Sequence, residues 1–240
     1  MPTLKQKIGA WLIPKLPINR HVFDHIRLEL NALRVRVLHS LHPGIRRKIK
    51  QLKSQNNLLV NIGCGPFGED GWVNLDLFTH PNLTLVADTR RSLPLMDSSC
   101  VGIHVEHFFE HLNPEDECLA FLSEFRRCLQ PDGVLRIIVP DAELYIKAYL
   151  SPGWDMFNSI GCGGDQPETA FTCKMEALNH VFIQGWEHYG GYDAEGLTLI
   201  LQRAGFTKIN RCSWRSGDFP VTPIDREQHR PYSLYVEAIL

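Results

Sequence analysis

The chain has 240 residues, 44% of them hydrophobic and 22% charged, with a formal net charge of -2. These values exclude a disordered, collagen-like or low-complexity polymer and suit one large domain, or a domain with an appendage. The charge is unevenly placed: residues 1–57 carry 12 Lys+Arg against two acids, Asp24 and Glu29, leaving 13 bases and 25 acids elsewhere. Seven cysteines without a CxxC pair argue against a disulfide framework or zinc ribbon and for a reducing compartment. No apolar run reaches the length of a membrane span. The stretch Ile8–Ile13 behind Lys5 and Lys7 is short and broken by Pro14 and Pro17, so it is not a signal peptide.

In chain order, residues 1–19 form a short amphipathic segment ending at the prolines. Phe23, Ile26, Leu30, Leu33, Val37 and Leu41 recur by threes and fours, which predicts a helix over 20–41 with one apolar face. Pro43-Gly44 stops it, and a short basic helix over 45–52 follows. From Leu58 the pattern changes to strands. These are 58–62, followed by Gly63-Cys64-Gly65-Pro66; 72–76, ending in Asp76; 83–88, ending in Asp88; and 101–105, followed by Glu106-His107. A helix over 114–129 presents Leu119, Leu122, Phe125 and Leu129. A turn at Pro131-Asp132-Gly133 leads to a strand over 134–139. Residues 141–190 read as irregular. A helix over 194–203 is capped by Asp193 and ended by Gly205, and strands at 208–213 and 233–239 close the chain. Alternating strands and helices predict an α/β fold with a mostly parallel sheet and helices on both faces.

In such sheets ligands bind beyond the carboxyl ends of the strands. A glycine turn there lets backbone approach a ligand, and carboxylates at successive strand ends suit a ribose diol and an adenine amino group. Gly63 to Gly68 matches G-x-G-x-x-G, but Asp76 follows Gly63 by only 13 residues. Pro66, Gly68 and Gly71 also oppose the helix that a dinucleotide pyrophosphate needs, so a nicotinamide oxidoreductase ranks low. The short link implies that the first crossover helix is vestigial, with the helix over 20–41 covering that face of the sheet instead.

Asn61-Ile62-Gly63-Cys64-Gly65-Pro66 with Asp76, Asp88 and Leu93-Pro94-Leu95-Met96-Asp97 resembles the class I S-adenosylmethionine-dependent methyltransferases. Glu106 to Leu112, Leu129 to Gly133, Val139-Pro140-Asp141 and Tyr192 to Phe206 continue the resemblance, which is to the small bacterial type 11-like group. It covers residues 58–240 and implies a Rossmann-like, seven-stranded methyltransferase domain behind a basic helical extension at 1–57. It also implies S-adenosylmethionine as cofactor. Asn61 and the Gly63, Cys64 and Gly65 backbone would meet its methionine portion, with Asp76 and Leu77 at the ribose. Asp88 and Thr89 would meet the adenine, and Glu106 and His107 would lie near the methyl group. The activity implied is transfer of the sulfonium methyl (EC 2.1.1.-) to a small-molecule, sugar or lipid acceptor. Asn61 departs from the pattern, standing where many relatives carry an acid.

For a hydroxyl acceptor, His107 is the first candidate base and His188 the second, because imidazole titrates near neutral pH. His107 to His111 also spells H-x-x-E-H, a zinc-protease string. It follows a strand directly and Pro114 comes soon after, so the expectation is no metal, with Glu110 and His111 structural. His104 should pack against a covering helix. His180, Trp186, His188, Tyr189 and Tyr192 either cover the acceptor pocket or form an aromatic satellite cluster. The basic segment carries no nucleic-acid motif. It either docks on the acidic remainder or meets a membrane surface peripherally, in an otherwise cytoplasmic protein. The competing reading is a non-catalytic methyltransferase-like module acting through this basic arm.

Overall fold

The computed structural model describes residues 19–161 and 170–240. The amphipathic segment before residue 19, with Trp11 and Leu12, lies outside the described residues, as does Cys162. Two helices open the described chain, α1 (Arg20–Leu41) and α2 (Pro43–Leu52). Pro43 begins α2, where a missing N–H costs no helical bond, and the His42 side chain caps it by accepting from Ile45 N.

Seven strands follow: β1 (Leu58–Ile62), β2 (Val73–Asp76), β3 (Leu85–Val86), β4 (Cys100–Glu106), β5 (Leu129–Pro140), β6 (Lys208–Cys212) and β7 (Ser233–Ile239). They form one sheet in the order β3-β2-β1-β4-β5-β7-β6. β7 runs antiparallel to β5 and β6, and the other pairs are parallel. The remaining α-helices among the described residues are α3 (Glu117–Cys128), α4 (Ala142–Leu150), α5 (Asp155–Ser159), α6 (Lys174–Ile183) and α7 (Ala194–Arg203). The expected α/β architecture, a mostly parallel seven-stranded sheet with helices on both sides and a further helix at the N-terminal end, is the one the chain adopts.

One face of the sheet is apolar. Val60, Ile62, Ile103, Val105, Leu135, Ile137 and Val236 share a core with Phe121, Leu122 and Phe125 of α3, Leu197 and Leu201 of α7, and Leu52 of α2. On α3 the buried stripe is Cys118, Phe121, Leu122, Phe125 and Cys128, while Leu119 is exposed. The opposite face carries a polar row. Asn74, Asn61, His104, Arg136 and Glu237 are cross-strand partners on β2, β1, β4, β5 and β7, and all five are buried. The β6–β7 connection covers this row. Phe219 stacks on Trp72 with 5.8 Å between centroids and meets His104 edge-on, so His104 lies under a loop rather than a helix.

No helix forms between β1 and β2, as the ten-residue link over 63–72 requires. α1 does not cover the sheet face, however. It lies along the carboxyl ends of β2 and β3, where Asn31 Nδ2 donates to Leu77 O (3.1 Å) and His39 Nε2 to Val86 O (2.7 Å). α1 buries Ala32 and Val35 and leaves Ile26, Leu30, Leu33, Val37 and Leu41 exposed, the side opposite to the one its periodicity suggests. The described parts of the stretch expected to be irregular, 141–161 and 170–190, are largely helical: α4, α5 and α6 enclose a separate cluster of Tyr145, Ala148, Phe157, Ile160, Ala177 and Val181. The turn at 131–133 is a bulge inside β5, since Cys100 pairs with Leu129 and Gly102 already with Val134.

Candidate functional site

Strand order reverses between β1 and β4, so the crevice at their carboxyl ends is the switch point of the sheet. β1 leaves the sheet through Gly63 and Gly65, both left-handed, with φ of 62° and 51°. The Asp76 carboxylate at the end of β2 reaches across, accepting from Gly65 N (2.9 Å) and, through its other oxygen, from Phe78 N (2.8 Å). Each oxygen keeps a free lone pair, so a diol could bond to it from outside. Asn61 is buried beneath, donating to Phe67 O at 3.2 Å. A cavity of about 230 Å³ lies on the polar face below, between Asn61, Phe67, Glu69, His104 and Glu106 and the β6–β7 connection at Asp225 and Arg226; neither the two glycines nor Asp76 line it. The Cys64 thiol is buried and held up at about 11 by that burial and by the Asp76 charge, so only its backbone is available to a ligand.

The next residues along the rim are committed elsewhere. Asp88 has almost no exposed side chain and is held between Arg36 of α1 and Arg90, whose Nε donates to Oδ1 at 2.9 Å. Burial opposes its charge, but the hydrogen bonds and charges of Arg90 and Arg36 keep the carboxyl below its ordinary range. Both oxygens are occupied, so this arrangement does not offer the carboxylate to an adenine, contrary to the role expected of it. Thr89 is buried beside it, and the Leu77 carbonyl is taken by Asn31. Glu106 likewise faces the β6–β7 connection, accepting from Arg226 N (3.0 Å) and His229 Nδ1 (3.0 Å). Arg90 is only two residues from Asp88, but Arg36, Arg226 and His229 lie 52 to 123 residues from the acids they hold, where no local pattern points to them.

The H-x-x-E-H string does not form one helical face. His107 takes a left-handed φ of 51°, and a single 3-10 turn, Phe109–His111, follows. The His107 ring hydrogen-bonds Ser233 Oγ through Nε2 (2.8 Å) and lies 3.9 Å from the His229 ring. Burial, then the neighbouring charges of His229 and Arg226, push it well below ordinary imidazole basicity. Burial lowers His188 to about 4. The near-neutral titration that recommends either histidine as a general base is therefore absent in both. His111 turns away from His107 and packs edge-on against His188, with 4.8 Å between centroids. Glu110 is wholly buried, and burial, opposed by its own backbone N–H and aided by the Glu106 charge, raises its carboxyl to about 8.

No protein-family model matches the chain, and no curated protein matches its sequence. Solved structures similar to it include a SAM dependent methyltransferase from Aquifex aeolicus, at 17% identity over 81% of this chain and 88% of that one, TM-score 0.43. Another is a SAM dependent methyltransferase from Archaeoglobus fulgidus, at 18% identity over 89% and 94%, TM-score 0.44. A third is the 1,6-didemethyltoxoflavin-N1-methyltransferase of Burkholderia thailandensis, solved with S-adenosylhomocysteine, at 15% identity over 93% and 92%, TM-score 0.45.

Proposed function

We propose that the chain is an S-adenosylmethionine-dependent methyltransferase acting on a small-molecule acceptor. The observation that carries this reading is the left-handed Gly63–Gly65 turn at the switch point, with the Asp76 carboxylate 2.9 Å from Gly65 N. Open backbone and a carboxylate with lone pairs free form a seat for an adenosyl sulfonium. When bound, that cofactor supplies an electrophilic methyl. The chain's own part is to grip the cofactor and align the acceptor, which can supply most of the rate by itself. With Asp88 held by Arg36 and Arg90, the adenine end would rest on backbone and apolar contact. Titration calorimetry with S-adenosylhomocysteine tests the seat. Micromolar binding by the wild type and a loss of at least about tenfold in Asp76→Ala, near the 1.4 kcal/mol of one good hydrogen bond, are expected. No binding by the wild type would end the reading.

The basic helices have a partner on the same footing, an anionic lipid surface. α1 is about 33 Å long and exposes Ile26, Leu30, Leu33, Val37 and Leu41 along one side. Arg20, Arg27 and Arg34 flank that stripe, and α2 adds Arg46, Arg47, Lys48 and Lys50. Aliphatic side chains bordered by cations suit the headgroup boundary of an acidic bilayer. The full chain should float with vesicles containing phosphatidylserine but not with pure phosphatidylcholine, and Leu30→Asp with Leu33→Asp should abolish flotation. A dimer dissolved by the same double variant, without flotation, would identify a second copy as the occupant and overturn the lipid reading.

A further inference from the structure

Glu110, His111 and His188 each offer a ligand atom, and these atoms lie within 4.8 Å of one another. The two histidines arrive from different elements, one on the turn after β4 and one on the segment after α6. A backbone hydrogen bond from Tyr189 N to Glu110 O (2.9 Å) ties these segments together.

The hydrogen bonding around the cluster leaves donor atoms free. His111 Nδ1 lies 3.0 Å from Glu187 O, and His188 Nδ1 lies 2.8 Å from Val181 O. A carbonyl only accepts, so both Nδ1 atoms carry the proton. In both neutral rings Nε2 is therefore left as a bare lone pair. A metal-bound histidine is fixed in this way, its second nitrogen donating to a carbonyl or carboxylate that sets tautomer and orientation. The carboxylate completes the case. Glu110 is 1% exposed, and neither of its oxygens accepts a hydrogen bond from another residue. The nearest basic nitrogen, His107 Nδ1, lies 3.4 Å from Oε1 outside hydrogen-bond geometry. A buried acid with two unanswered oxygens costs several kcal/mol unless something else satisfies it.

We propose that Glu110, His111 and His188 bind a divalent first-row transition metal ion of the zinc class. Two imidazoles and one carboxylate are a donor set such ions accept, and three protein ligands leave coordination positions open. Those donors must close in to reach bonds of about 2.0–2.1 Å, and the ion is what would draw them together. His111 is the half-exposed member, which gives an ion its way in. The inference also deepens the methyltransferase reading and rests on it in one respect: the open positions, one turn beyond β4, are where an oxygen of the acceptor would be held. Metal binding itself is independent of that reading.

The test uses the full chain, dialysed against a chelator and titrated with Co²⁺. One equivalent per chain with visible d–d absorption, displaced by Zn²⁺, is expected. His188→Ala should weaken binding at least about 100-fold and quench the absorption, the upper end of what loss of even an outer-shell partner costs. His111→Asn, at a less buried position, should do the same while keeping the metal-free unfolding temperature of the wild type. No absorption in the wild type, or wild-type Co²⁺ affinity in both variants, would overturn the proposal. S-adenosylhomocysteine titration of the same samples separates the two ideas. Cofactor binding without metal binding overturns the metal site alone, and metal binding without cofactor binding supports it while removing the acceptor role.

Discussion

Asp225 has no exposed surface and anchors the β6–β7 connection to the middle of the sheet. Its Oδ1 accepts from Arg136 Nε (2.9 Å) and His104 Nε2 (3.1 Å), and its Oδ2 from Arg136 Nη2 (2.6 Å) and Arg215 N (2.7 Å). Burial alone would raise this carboxyl, but the His104 and Arg136 hydrogen bonds and the guanidinium charge bring it down to about 2. An acid depressed in the folded state contributes stability that is whole above its unfolded value near 4 and lost as pH falls toward about 2. The difference corresponds to about 2 kcal/mol. Denaturant unfolding at a series of pH values should show this acid limb in the wild type and a shallower one in Asp225→Asn. At neutral pH the same substitution should cost about 3–5 kcal/mol, because it leaves the buried Arg136 with the Glu237 carboxylate as its one counter-charge beside the Ser213 and Ser216 carbonyls. Parallel curves for the two proteins would remove Asp225 as the source of the limb.

At the level of elements, legibility follows the kind of signal each carries. β1 and β4 are apolar runs bounded by turn residues. α7 has both its punctuation marks: Asp193 accepts from Gly196 N at 2.8 Å, and Gly205 leaves the helix at φ 90°. α4, α5 and α6 span 9, 5 and 10 residues, too few turns for a period to stand out among the glycines and aromatics between them. α1 shows a different limit. Periodicity reports that a helix has two sides but not which side packs. Here Ala32 and Val35 pack, because small residues let the helix approach the rim while Asn31, Arg36 and His39 bond to it. The site divides the same way. Asn61, Gly63, Gly65 and Asp76 are readable as strand ends. What holds Asp88 and Glu106, and what brings His188 to Glu110, is decided by long-range contact.

For the molecule as a whole, the two faces of the sheet have different work. The apolar face fixes the strands against α2, α3 and α7, and the polar row holds the β6–β7 connection, which helps wall the 230 Å³ cavity beside the rim. The glycine turn joins the two systems, and its two glycines separate folding from binding. A Cβ on Gly63 would sit 2.5 Å from Phe108 Cδ2, and Phe108 stacks on Phe121 of the core at 5.5 Å. Gly63→Ala must therefore displace core aromatics as well as hold alanine in a left-handed conformation, which alone costs about 1–2 kcal/mol. A Cβ on Gly65 would meet nothing within 4 Å. Gly65→Ala carries only the conformational cost and projects its methyl into the open space where the cofactor's methionine portion is proposed to lie. Thermal unfolding should accordingly fall by several degrees more in Gly63→Ala than in Gly65→Ala. S-adenosylhomocysteine affinity should nevertheless drop about tenfold in Gly65→Ala, one steric contact being worth roughly 1.4 kcal/mol. Wild-type affinity in a well-folded Gly65→Ala protein would mean that the space above the turn is not the cofactor's seat.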